Sequence, residues 1–94
     1  MRVDRMRNKV KKVEGFDVLI GESTNYGYFH SYRGHKQLDD NFNFKFSRAA
    51  ANNMTVAQWK QRRIPEDVDA EVLDGDGEIV HGRTKLCNVR RSYV

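Results

Sequence analysis

Cysteine and proline each occur once in this 94-residue chain, and long apolar runs do not occur at all. A lone Cys87 excludes an internal disulfide and any cysteine-based zinc cluster. No stretch reaches membrane-spanning length, and the basic first residues lead into no continuous apolar segment of the kind a signal peptide needs, so a soluble, cytoplasmic protein is expected. Aliphatic residues are scarce as well. With 38% hydrophobic residues and a mean hydropathy of −0.81, the aromatics must supply much of the buried area, each covering roughly 150 to 250 Å². A chain this short holds one compact core, worth about 5 to 14 kcal/mol at ordinary stability per residue. No phosphate loop, nucleophile elbow, low-complexity segment or internal repeat is visible. No cofactor and no resident metal are expected, and an enzyme is not indicated.

Charge is plentiful and segregated. The formal net charge is +4. Arg2, Arg5, Arg7, Lys9, Lys11 and Lys12 face only Asp4 in the first twelve residues, whereas Glu66, Asp67, Asp69, Glu71, Asp74, Asp76 and Glu78 follow one another with no basic residue between them. Such polarity favours attraction between opposite patches, within one molecule or between copies, and contact with polyanions.

Seven of the ten aromatics fall between Tyr26 and Phe46, largely at every second position. That spacing is a strand signature. It predicts one strand with Phe42, Phe44 and Phe46 on its inner side, and a ladder of Tyr26, Tyr28, His30 and Tyr32 whose polar groups suit a wet sheet face. A further strand is expected from Phe16 to Ile20. Val68 to Val72 alternates apolar and acidic residues, and the Asp-Gly pairs at 74–77 predict a hairpin returning through Glu78 to His81. Thr84 to Val89 reads as a last strand, giving Cys87 a buried apolar role.

The clearest helix starts at Val56, where Thr55 and Gln58 form a capping-box pattern, and stops before Pro65, with Trp59 facing the sheet. Residues 1–12 read as a basic arm or frayed helix ahead of a single α+β domain over 13–94. The predicted fold is a small, mostly antiparallel sheet of about five strands with one main helix packed on one face.

His30, His35, Asp39 and Asp40 could serve a metal or a proton transfer, but their spacing matches no metal pattern, so surface roles are expected. Asp74, Asp76 and Glu78 resemble part of a calcium loop, yet Gly75 and Gly77 stand where ligands would be needed, and a hairpin turn explains them. Tyr26, Tyr28, His30, Tyr32, Arg33 and Lys36 are the candidate binding residues. Tyrosines can stack on bases while Arg33, Lys36 and the basic arm neutralise phosphates, so the leading expectation is a non-enzymatic module that self-associates or docks an anionic partner such as nucleic acid. The alternative is a small-ligand or hydrolytic pocket lined by Tyr26, Tyr28, His30 and Tyr32.

Overall fold

The computed structural model describes residues 1–24, 26–38 and 44–93. In chain order they form α1 (Val3–Glu14), β1 (Val18–Ser23), β2 (Phe29–Ser31), α2 (Val56–Arg63), β3 (Asp69–Val72) and α3 (Leu86–Arg91). The class is α+β, as expected. In place of about five strands and one main helix, the described residues give three helices and one three-stranded antiparallel sheet, ordered β2-β1-β3. No helix of the described residues is long and apolar enough to cross a membrane.

α1 forms because Val3, Met6 and Val10 recur at helical spacing, and all three are fully buried. Residues 1–12, expected as an arm or frayed helix, thus carry one apolar stripe of the core. Gly15 ends the helix with φ 83°, and its N–H donates to the Lys11 carbonyl. The chain then returns along β1, against which α1 packs.

α2 begins as its sequence predicts. Thr55 accepts from the Gln58 N–H and the Gln58 side chain accepts from the Thr55 N–H, an arrangement worth about 1 kcal/mol. Trp59 is fully buried, edge-on to Phe16 at 5.0 Å and tilted against Phe44 at 6.3 Å. Its Nε1 finds no acceptor among the described residues.

Several expectations need correction. Residues 44–46 form no strand, although Phe44 is fully buried and Phe46 half-buried beside it; Phe42 lies outside the described residues. The tyrosine ladder contracts to β2, which holds only Phe29, His30 and Ser31. The segment expected as a last strand is α3, and Cys87 on it is only partly buried. Val68 to Val72, by contrast, contains β3 in the alternating pattern its residues predict.

The sequence shows no internal repeat, yet the backbone uses one device twice. Val56 and Ala57, the first two helical residues of α2, donate to the carbonyls of Thr84 and Gly82 at 2.9 Å each, while Leu86 and Cys87 of α3 donate back to Met54 and Asn52. At the other end of the chain, Val3 and Asp4 of α1 donate to Lys36 and Gly34, and Leu38 donates back to Met1. In each clasp the first orphan N–H groups of a helix are satisfied by a remote turn. Each also places a glycine where a Cβ would come within 3.3 Å of the helix's second residue, Asp4 for Gly34 and Ala57 for Gly82.

The hairpins repeat too. Thr24 and Tyr28 share the bonding pattern of Asp74 and Glu78, with Gly27 (φ 84°) matching Gly77 (φ 81°). The offset that relates Gly27 to Gly77 also relates Ile20 to Ala70, which face each other across the β1–β3 ladder. A local two-fold axis therefore passes between them, and residues 1–38 and 51–91 are two versions of one helix–hairpin–clasp unit.

Tyr93 ties the end of the chain to both units: it accepts the Asp17 N–H at 2.8 Å and donates to the Leu73 carbonyl. Burial, the largest cause, raises its pKa above the ordinary 10.0; the Asp17 N–H lowers it, and the Asp17 and Asp74 carboxylates raise it further. The folded state thus favours the neutral phenol. That contribution is complete below about pH 10 and is lost as pH rises through the folded value. We expect Tyr93→Phe to cost about 1 to 2 kcal/mol at neutral pH, through lost hydrogen bonds, and to flatten the loss of stability above about pH 10. Urea melts against pH test this; identical alkaline slopes for the two proteins would contradict it.

Candidate functional site

The tip of the β1–β2 hairpin is held by backbone and by Thr24. The Thr24 N–H donates to the Tyr28 carbonyl at 2.7 Å, its Oγ1 accepts the Tyr28 N–H at 3.2 Å, and Gly27 takes the left-handed conformation that a side chain would strain. Neither Tyr26 nor Tyr28 uses its ring in this scheme. Both rings project outward, 88% and 71% exposed, as the most exposed large apolar side chains described.

From the tip the chain runs back along β2. His30 pairs with Glu22 across the ladder, and the Tyr32 hydroxyl reaches Glu22 Oε2 at 3.3 Å, so these three lie on one face. The Tyr32 pKa is raised by burial first, then by the Glu22 charge and the hydrogen bond to it. Lys36 Nζ lies 4.6 Å from the centre of the Tyr32 ring, a cation–π contact. His30, Arg33, His35 and Lys36 are all exposed.

The clasp on α1 decides where these cations sit. Because Gly34 and Lys36 receive the first N–H groups of α1, Arg33, His35 and Lys36 gather at the end of that helix that carries Arg2 and Arg5. Arg2, Arg5, Lys9 and Lys12 follow at helical spacings of three, four and three, which places all four on one stripe opposite much of the buried stripe. Arg2 pairs with Asp4 at 3.4 Å in solvent; Arg5, Lys9 and Lys12 have no carboxylate partner among the described residues. The 12 residues of α1 make this stripe about 18 Å long.

At its far end the stripe meets a cleft of about 390 Å³ walled by Lys9, Lys12, Val13, Phe46 and Ser47, with the Arg63 guanidinium 4.3 Å from the centre of the Phe46 ring. Sequence reading missed this pairing of cations with an aromatic floor, because Phe46 was assigned to a strand interior. The helical periodicity of the lysines was the available signal.

Other clefts have different chemistry. One of about 200 Å³ is lined by Asp4, Lys11 and the molecule's own ion pair, Arg7 with Asp17 at 3.1 Å, backed by Arg7 Nε donating to the Val18 carbonyl. A second, of about 450 Å³, is lined by Glu22, Ser23, Glu66, Asp67 and Asp69 and would repel an anion. Among the described residues no three His, Cys, Asp or Glu side chains converge as a metal site. Asp74 Oδ1 accepts the N–H groups of Asp76 and Glu78, and His81 Nδ1 accepts that of Arg83, so both serve turns. Asp39 and Asp40 lie outside the described residues.

The structure therefore brings Tyr32, Lys36, His30 and Glu22 together, sets Arg33 and Lys36 beside Arg2 and Arg5, and holds Tyr26 and Tyr28 on a protruding tip. Comparison with protein-family models, with curated proteins and with solved structures yields no match, so the chemistry of this surface is what its function is read from.

Proposed function

We propose that this protein is a non-enzymatic binding module that docks an anionic polymer, nucleic acid in particular, along the α1 stripe and the adjoining clasp. A cytoplasmic setting belongs to the same proposal. One observation carries it: Arg2, Arg5, Lys9 and Lys12 share a single stripe, Lys9 half-buried and the other three exposed, and the clasp adds Arg33 and Lys36 to one end of it. A helix that needed only solubility would gain as much from mixed charges. Of the acidic groups, Glu22, Glu66, Asp67 and Asp69 line a separate cleft, Asp4, Glu14, Asp17 and Glu71 are held in ion pairs, and Asp74, Asp76 and Glu78 belong to the other hairpin. Neutralising about four phosphates would make affinity fall on the order of a hundredfold between roughly 50 mM and 200 mM salt.

Two other readings are less well supported. Pairing of copies through a sheet edge has little length to use: β2 has three residues and β3 four, and at the end of β3 the Val72 carbonyl already accepts the Val80 N–H at 2.9 Å. A pocket around the tyrosines is disfavoured by the outward projection of Tyr26 and Tyr28, which gives them a convex position.

The expected result is steeply salt-dependent binding to a labelled single-stranded or duplex DNA of mixed sequence. Arg5→Ala/Lys9→Ala/Lys12→Ala should leave thermal stability nearly unchanged and reduce the slope of log affinity against log salt by two to three, about 0.7 to 0.9 for each contact. Binding that ignores salt, or a triple variant with an unaltered slope, would rule the proposal out.

A further inference from the structure

We infer that Tyr26 and Tyr28 form a stacking site for unpaired nucleobases, which makes single-stranded nucleic acid the preferred ligand; this rests on the polyanion reading and narrows it. The first support is internal. The hairpin at 74–78 repeats the bonds of the one at 24–28 and adds one from the Asp76 N–H to Asp74 Oδ1, and where the hairpin at 24–28 carries Tyr26 and Tyr28 the other carries Asp76 and Glu78. This turn needs an oxygen-bearing side chain at its first position, Thr24 or Asp74, and a glycine at Gly27 or Gly77. It makes no demand for aromatic rings. Two tyrosines held in solvent at positions the matching turn fills with carboxylates are there for something outside the molecule.

The second support is what surrounds them. The buried core of a protein-binding patch is depleted of charged residues. Here the side chains that follow on the same face are His30, opposite Glu22, and Tyr32 under Lys36, with Arg33 next in the chain, while the apolar Phe29 between Tyr28 and His30 is half-buried. Aromatic rings followed by cations are the components of single-strand binding, in which bases stack on side chains and the backbone tracks positive charge. Tyr28 and Arg33 are five residues apart, at most about 17 Å of extended strand, so a single strand stacked at the tip can continue onto the clasp.

Charge also sets its direction. Glu66, Asp67 and Asp69 line a cleft on the β3 side of the hairpin, where they outnumber the Glu22 carboxylate bonded to Tyr32 on the β2 side, so a phosphate backbone leaving the tip is favoured toward β2 and the clasp. A duplex keeps its bases stacked and paired, and offers the tyrosines no ring face.

The test compares Tyr26→Ala/Tyr28→Ala with the unaltered protein by anisotropy, using a labelled mixed-sequence DNA single strand and the corresponding duplex. The unaltered protein should prefer the single strand, and the double variant should lose about tenfold or more of that affinity while binding duplex as before. Tyr26→Phe/Tyr28→Phe should retain the preference, since rings rather than hydroxyls stack, and Asp76→Ala/Glu78→Ala should leave it intact. Equal loss on single strand and duplex, or no loss, would overturn the stacking site and leave the polyanion reading in place. Absence of salt-sensitive binding to either DNA by the unaltered protein would overturn both.

Discussion

Glu14→Ala is expected to destabilise the protein by about 3 to 5 kcal/mol, the cost of breaking a buried ion pair by removing one partner. Against a total of about 5 to 14 kcal/mol, that leaves a substantial unfolded population in mild denaturant. Glu14 is the last residue of α1, where the negative end of the helix disfavours a carboxylate, and it is only 1% exposed. It is tolerated because it is saturated with donors. Oε1 accepts the Ala50 N–H at 2.8 Å and Arg90 Nη2 at 3.1 Å, and Oε2 accepts Arg63 Nη1 at 2.8 Å.

Both arginines are committed elsewhere too. Arg63 also donates to the Arg48 carbonyl, while Arg90 donates to the Glu14 carbonyl through Nε and to Asn52 Oδ1 through Nη1. Truncating Glu14 therefore strands two guanidinium groups and opens a void where α1, α2 and α3 meet. Glu14→Gln keeps the shape and some acceptor capacity, so it should cost less than alanine. Urea melts of the three proteins decide it; a loss below about 1 kcal/mol for the alanine variant would show that the cluster contributes no net stability.

Gly21→Ala should have an effect of similar size, about 3 kcal/mol or more, for a steric reason. Gly21 lies in the central strand opposite Ser31, and a Cβ there would overlap the His30 carbonyl, a backbone atom that cannot swing aside. The β1–β2 ladder must part to make room. Because β2 links the tyrosine tip to the clasp, the variant should lose DNA affinity as well as stability, and amide exchange should be fastest at 29–31. A fully stable Gly21→Ala protein with protected amides in β2 would show that the two strands approach less closely than described.

How much of this was legible in the sequence depends on how local each determinant is. α2 could be read because Thr55 and Gln58 cap it from within, and β3 because its alternation and the Asp-Gly turn are local signals. α3 could not. It has six residues, and the carbonyls that close its first turn belong to Met54 and Asn52. Alternation misled at Phe44 and Phe46, whose rings are held by Trp59 and Arg63 rather than by a strand partner. It misled again at Tyr26 and Tyr28, where the left-handed Gly27 makes a turn of what reads as a ladder. Glu14 looks like an ordinary charge at a helix end because its arginines are 49 and 76 positions away. For the candidate surface, residue types were readable and placement was not: Arg33 and Lys36 were identified, but the stripe on α1 and the Phe46 cleft emerge only once residues 1–12 are seen to form a packed helix.

The clasps also say how the molecule can be assembled and how it cannot be divided. Each is closed by its own half of the chain, Arg2 with Gln37 in one and Thr55 with Lys85 in the other, so both loops bear a similar entropic cost of closure before the halves have touched. Joining them falls to the β1–β3 ladder, to the packing of Phe16 on Trp59, to Tyr93 and to the arginines that reach across for Glu14. Either half cut loose would keep its knot and lose the seam that shields its core from water.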